Sequence, residues 1–182
     1  WSPNHAAIAE GRANGNPGSN YIRAAWTPTA GDWSLGLGAQ SWSGSSDRDD
    51  GSGNGTVETV DTKAVAFDAQ AQGAVGGMPL GIYLTHATAD GTPAGGRLNL
   101  FNANRNDKKA TAITVELGVI PNKATVMFAY RKANTGSTAA NSDDDAITIG
   151  GTYQYAQNVQ LQLLFTKRDS GGAADRGRYA GS

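Results

Sequence analysis

The chain of 182 residues contains no cysteine and only two histidines, His5 and His86. The missing cysteine excludes disulfide scaffolds, thiolate zinc sites, cysteine nucleophiles, iron–sulfur clusters and covalently attached c-type haem in this chain. Two histidines are too few for a histidine-rich metal centre. We therefore expect no cofactor.

An excess of charge of either sign is also missing, because 15 Lys and Arg residues balance 16 Asp and Glu residues. Nucleic-acid binding through phosphate contacts needs a basic excess, so we expect no nucleic-acid partner. Long hydrophobic runs are absent as well. The uncharged stretches 69–89 and 146–166 are interrupted by Gly, Pro and amides, whereas a spanning helix needs about 20 mostly apolar residues. This excludes a helical membrane protein, but a β-barrel has apolar residues only at alternate positions.

Apolar residues recur at every second position in eight segments, which predicts β-strands. Their apolar positions are Ile22, Ala24, Trp26; Trp33, Leu35, Leu37, Ala39; Val65, Phe67, Ala69, Ala71; Leu80, Ile82, Leu84; Thr111, Ile113, Val115, Leu117, Val119; Val126, Phe128, Tyr130; Ile147, Ile149, Tyr153, Tyr155; and Val159, Leu161, Leu163, Phe165.

The connections between these segments alternate in length. Short turns with Gly, Pro or Asn lie at 28–31, 76–79, 120–123 and 156–158, whereas long polar segments lie at 44–62, 88–108 and 133–145. Transmembrane barrels show this asymmetry between short turns and long loops. We predict an all-β, antiparallel transmembrane β-barrel, a meander of about eight strands. It forms a single domain over 1–182, with strands within 20–168 and loop-like ends at 1–19 and 170–182.

Both predicted termini lie on the long-loop side, and an open sheet would leave two unpaired edges that lipid does not tolerate. We therefore expect the chain to be part of a larger barrel.

The second face of the predicted strands is rich in amides and small residues, with few charges. A solvent face of a soluble sheet usually holds more Lys and Glu, so we assign this face to a wet lumen and the apolar face to lipid. Aromatic residues near strand ends are typical of interfacial girdles, although core anchors are the alternative interpretation. The predicted lumen-lining residues are Arg23, Gln40, Asp68, Gln70, Gln72, Glu116, Arg131, Gln154, Gln160 and Gln162.

Three segments resemble the hairpins of Gram-negative outer-membrane porins: GGMPLGIYLTHATAD at 76–90, ELGVIPNKATVMFAYRKA at 116–133 and AITIGGTYQYAQNVQLQLLFTK at 146–167. The resemblance covers about 20–168. More narrowly, it is to the barrel part of porin-like proteins that accompany or are fused to c-type cytochromes in iron- or methane-oxidising bacteria. It implies a passive pore or a barrel sheath around a redox partner. Because Cys-x-x-Cys-His is absent, any haem module would lie outside this chain.

Enzymatic motifs are missing from the sequence: there is no nucleophile elbow, phosphate loop, HExxH or dinucleotide fingerprint. His86 is interpreted as a rim histidine rather than part of a triad. Asp68 and Glu116 are interpreted as lumen charges rather than as the carboxylate pair of a glycosidase. We expect no enzymatic activity.

Two acidic segments are weak candidates for cation binding. Asp47, Asp49 and Glu58 match positions 1, 3 and 12 of a calcium loop, but Gly51 and Ser52 break the motif. We therefore expect a solvated loop and no metal. The cluster at 143–145 either binds divalent ions between lipopolysaccharide phosphates or forms a solvated turn.

The expected function is an outer-membrane channel that passes small polar solutes or ions in a Gram-negative bacterium. Its expected partners are the lipid bilayer, lipopolysaccharide and small polar solutes, and an oligomer is compatible with the sequence. Two alternatives stay open. One is a barrel sheath for a c-type cytochrome in transmembrane electron transfer, and the other is a soluble all-β lectin-like or adhesin-like binding module.

Overall fold

The computed structural model describes residues 18–49, 57–138 and 143–170, and these residues form one β-sheet of ten strands without a helix. His5 and most of the two predicted loop-like ends lie outside the described residues. The strands are β1 (Gly18–Trp26), β2 (Thr29–Ala30), β3 (Trp33–Asp49), β4 (Val57–Asp61), β5 (Ala64–Val75), β6 (Met78–Ala89), β7 (Lys108–Ile120), β8 (Ala124–Asn134), β9 (Asp144–Ala156) and β10 (Val159–Ser170).

Eight long strands form an antiparallel meander in the order β1-β3-β5-β6-β7-β8-β9-β10, while β2 and β4 pair only with β3. The predicted all-β antiparallel class is therefore confirmed. The sheet is not closed within the described part of the chain, since β1 pairs with β3 alone and β10 with β9 alone. Because the number of long strands is even, the two edge strands run in opposite directions.

The register confirms the predicted alternation, because residues opposite each other in an antiparallel pair project to the same face. Val115 lies opposite Ile82 on one side and Phe128 on the other. The complete row across the sheet is Leu35, Ala71, Ile82, Val115, Phe128, Ile149 and Phe165.

The prediction of a loop over 44–62 was wrong in part. Strand β3 continues to Asp49, and β4 pairs with it from Ser45↔Asp61 to Asp49↔Val57. This polar hairpin is held by backbone bonds and by side-chain bonds such as that from the Thr59 hydroxyl to Asp47 Oδ1 (2.8 Å). Apolar residues do not recur at every second position in this hairpin, so the sequence pattern did not predict its strands. Strands β1 and β10 also extend slightly into the predicted loop-like ends, to Gly18 and Ser170.

The buried residues of the described ranges, glycines apart, cluster at the long-loop end of the sheet. The buried apolar residues are Val60, Ala66 and Ala89, and the buried polar residues are Ser46, Thr62, Asn99 and Asn102. Most of the apolar side chains predicted on one face are therefore not packed into a core.

The 90–107 connection folds onto this buried cluster. Asp61 forms backbone hydrogen bonds with both Leu98 and Leu100 (2.8 Å each). The Asn99 side-chain amide donates to the carbonyls of Lys63 (2.9 Å) and Asp90 (2.7 Å). Buried amides with satisfied partners specify one loop conformation. Among the residues that the structure describes, no helix is long and apolar enough to cross a membrane.

Candidate functional site

The ten residues predicted to line a lumen lie on one face of the sheet, which we call the polar face. Arg23 is opposite Gln40, and Asp68 and Gln70 are opposite Gly38 and Gly36. Gln72 and Glu116 both lie opposite Gly81 on either side of β6. The remaining members, Arg131, Gln154, Gln160 and Gln162, occupy the same face of β8, β9 and β10.

An ion pair joins β1 to β5 across the intervening strand β3. Arg23 Nη1 lies 3.2 Å from Asp68 Oδ1, and Nη2 lies 3.3 Å from Oδ2. Arg23 Nη1 also donates to Gln40 Oε1 (3.3 Å), which accepts a second bond from the Tyr21 hydroxyl (2.9 Å). The two-pronged geometry holds both side chains in one orientation.

Gly38 provides the space for this pair. A Cβ at position 38 would collide with the carboxylate of Asp68, which lies directly over the glycine. Gly36 has the same relationship to the side chain of Gln70. These two strand glycines therefore accommodate polar side chains of the neighbouring strand β5.

A second ion pair, between Arg131 and Asp144, lies near the long-loop end of the polar face. Arg131 Nη2 is 2.8 Å from Asp144 Oδ1, and Arg131 Nε donates to the Asp144 carbonyl (3.4 Å). Sequence reasoning placed Asp144 in a solvated or ion-binding cluster and did not connect it with Arg131. The signal that would have connected them is the β8–β9 hairpin register, which no local pattern specifies.

The three carboxylates at 143–145 have separate partners. Asp143 Oδ1 accepts from Asn134 Nδ2 (3.2 Å), and Asp145 Oδ1 accepts from the Ala133 backbone N–H (3.1 Å). The part of the chain that the structure describes contains no group of three His, Asp or Glu residues placed to hold a metal ion. Asp47 and Asp49 lie on β3 and Glu58 lies on β4, while the loop between them falls outside the described residues.

A cavity of about 430 Å³ lies on the polar face at the short-turn end, and strands β5 to β10 all contribute to it. Glu116 is the carboxylate of its lining. Lys123 also lines it, but its ammonium lies 5.6 Å from the ring centroid of Tyr153, a residue of the opposite face. The other polar side chains are neutral: Gln72, Tyr83, Asn122, Thr125, Thr152, Gln154 and Gln160. Sequence reasoning missed Tyr83, Thr125 and Thr152, although their strand parity places them on this face.

The opposite face, which we call the apolar face, is exposed. Ile22, Leu163 and Trp26 have 70%, 61% and 66% of their surface accessible. An apolar depression of about 480 Å³ on this side is lined by residues that include Trp26, Leu37, Phe67 and Leu84. The apolar side chains thus form a continuous exposed surface over the eight long strands.

The apolar face ends in a polar row near the long loops. His86, Thr111 and Lys132 lie opposite one another, directly beyond the row of Leu84, Ile113 and Tyr130. His86 Nδ1 is 2.8 Å from the Thr111 hydroxyl. His86 therefore lies towards the long-loop end of β6, and its place on the rim of a barrel stays a prediction. Lys109 and Lys167 mark the same end of β7 and β10.

The chain was compared with family models, curated proteins and solved structures, and none of the three comparisons finds a match.

Proposed function

We propose that this sheet is part of the wall of an outer-membrane β-barrel in a Gram-negative bacterium, with the apolar face against lipid and lipopolysaccharide. The polar face then lines a wet lumen that passes small polar solutes or ions. The observation that supports the proposal is the continuous exposure of the apolar face. Hydrocarbon is the solvent in which such a face is stable.

The size of the apolar surface argues against a soluble monomeric binding module. Six of the seven exposed aromatic residues on this face are 36–66% exposed: Trp26, Phe67, Phe128, Tyr130, Tyr153 and Phe165. At roughly 150–250 Å² per aromatic side chain, they alone expose about 400–700 Å². Nine exposed aliphatic residues add to this area: Ile22, Leu37, Leu84, Ile113, Val126, Ile147, Ile149, Leu161 and Leu163.

The largest patch on a typical soluble monomer is about 300–600 Å². Covering the aromatic part alone contributes about 10–17 kcal/mol at 25 cal/mol per Å². That is as large as the whole stability of an ordinary domain, about 5–15 kcal/mol. Water is therefore a poor solvent for this face.

Strand length supports the same proposal. Strands β5 to β10 have 11 to 13 residues each. A tilted strand needs about 9–11 residues to span the hydrocarbon core, whereas strands of soluble domains average about 5–6.

The two open edges require further strands if the sheet lies in lipid, because unpaired backbone groups are not tolerated there. Strands β1 and β10 run in opposite directions. A second copy, or further strands of the same polypeptide, therefore continues the antiparallel order at either edge without reversing the two faces.

A test of the membrane location uses the absence of cysteine. Leu163→Cys and Gln162→Cys place one thiol each on adjacent residues of β10, on opposite faces of the sheet. After labelling with a polarity-sensitive fluorophore and folding into phosphatidylcholine vesicles, we expect a blue shift and quenching by brominated acyl chains at position 163 only. Equal responses at both positions, or a protein that is monodisperse in plain buffer, would contradict the proposal.

The channel activity is tested separately in planar bilayers, where the full polypeptide should produce conductance steps and show heat-modifiable migration on gels. Haem absorbance in the purified material would instead favour the cytochrome sheath.

A further inference from the structure

Two ion pairs neutralise four of the charges on the polar face, and the cations Lys108 and Arg168 lie on this face at the long-loop end. Arg23 is held by Asp68, with N–O distances of 3.2 and 3.3 Å. Arg131 is held by Asp144, with a shortest distance of 2.8 Å. Each pair presents a local dipole with no net charge to a passing ion.

Glu116 differs from these residues. It lines the 430 Å³ cavity, its side chain is exposed, and it forms no hydrogen bond or ion pair with another residue that the structure describes. Its neighbours in register are Gly81 and Met127, which carry no charge. The ammonium of Lys123 is directed to the Tyr153 ring.

We propose that Glu116 makes this pore cation-preferring, with small hydrated cations drawn into the cavity at its short-turn end. The inference rests on the proposed function. Glu116 is the carboxylate of the cavity lining, and a carboxylate attracts cations and repels anions. The ammonium of Lys123 keeps its positive charge, but it lies beside the ring of Tyr153, a residue of the opposite face. The surrounding neutral groups, which include Gln72, Thr125 and Gln154, can hydrogen-bond a cation's water shell without adding charge.

The experiment measures the reversal potential of the full polypeptide in a planar bilayer under a KCl gradient. The wild type should favour K⁺ over Cl⁻. In Glu116→Gln, which has nearly the same shape, the permeability ratio should fall at least twofold towards unity. In Glu116→Lys the preference should reverse to Cl⁻.

Salt concentration provides a second readout. The effect of Glu116 should be larger in 0.1 M KCl than in 1 M KCl, because the screening length falls from about 10 Å to about 3 Å. Asp32→Asn is the matched control. It removes one negative charge from a short turn at the same end of the sheet, at a residue that does not line the cavity, and should leave the ratio unchanged.

The outcomes separate the inference from the proposed function. Absence of conductance in the wild type overturns the channel itself. A wild type that conducts but favours Cl⁻, or a Glu116→Gln variant with the selectivity of Asp32→Asn, overturns the role of Glu116 and leaves the channel standing. Heat-modifiable migration confirms that each variant has folded before it is measured.

Discussion

Arg23 and Asp68 meet across β3 at Gly38, which has no side chain to separate them. They belong to β1 and β5, and both strands pair with β3. Gly38 of β3 lies opposite Asp68 and leaves the room that the carboxylate occupies. A glycine in β3 thus lets side chains of its two neighbouring strands, β1 and β5, form an ion pair.

Replacing Gly38 should therefore lower the stability of the sheet, because the new side chain displaces the carboxylate of Asp68. In Gly38→Ala the new methyl group displaces the Asp68 carboxylate and breaks the exposed pair, which itself contributes at most about 1 kcal/mol. The variant should unfold at a lower temperature on heat-modifiable gels. In an Asp68→Ala background the methyl group has room, so the same substitution should cost less. Strictly additive effects of the two substitutions would show that residues 38 and 68 are not coupled.

Removing Arg131 should change selectivity in the direction opposite to that of Glu116→Gln. In Arg131→Gln the Asp144 carboxylate loses its cation partner, so the polar face gains one uncompensated negative charge. The K⁺ to Cl⁻ permeability ratio should rise, as measured by reversal potential. A fall in this ratio would contradict the assignment of both residues to the lumen.

A charge on the apolar face should prevent membrane folding, whereas a charge on the polar face should not. Ile149, in the centre of the apolar face of β9, is 58% exposed. In Ile149→Arg the guanidinium faces hydrocarbon, at a cost of about 2–4 kcal/mol near the midplane. The folded fraction in vesicles should fall on heat-modifiable gels. Gln154→Arg, on the polar face of the same strand, is the control, and equal loss in both variants would contradict the orientation of the sheet.

The 90–107 loop should open when its buried amide is removed. Asn102 Nδ2 donates to the carbonyls of Ala89 (3.1 Å) and Asn106 (2.8 Å), and its Oδ1 accepts from the Asn104 N–H (3.0 Å). Asn102→Ala leaves these groups unpaired, at a cost of about 1–3 kcal/mol.

Trypsin cleavage after the exposed residues Arg97 and Arg105 measures this opening and should be faster in Asn102→Ala. Asn104 is exposed, and its side chain makes a single bond, to the Thr135 carbonyl (2.7 Å). Asn104→Ala should therefore change cleavage little. A cleavage rate in Asn102→Ala equal to the wild-type rate would show that Asn102 does not hold the loop.

Most of the local architecture was predictable from the sequence. The alternation of apolar and polar residues correctly assigned the eight long strands, and it placed residues as distant as Arg23 and Gln162 on the same face. The reason is that side chains on a strand point alternately to its two faces, so the pattern within one strand already contains this information. The predicted assignment of that face to a lumen stays a prediction.

The remaining features depended on contacts between distant parts of the chain. The polar β3–β4 hairpin, the docking of the 90–107 loop through its own Asn99 and Asn102, and the pairing of Arg131 with Asp144 have no periodic signal in the sequence. Periodicity reports only which side of its own strand a residue occupies. Which residues meet, and which carboxylate is left without a cation, is decided by the register between strands and by the path of the loops. The tertiary structure alone therefore distinguished Glu116 from the paired carboxylates Asp68 and Asp144.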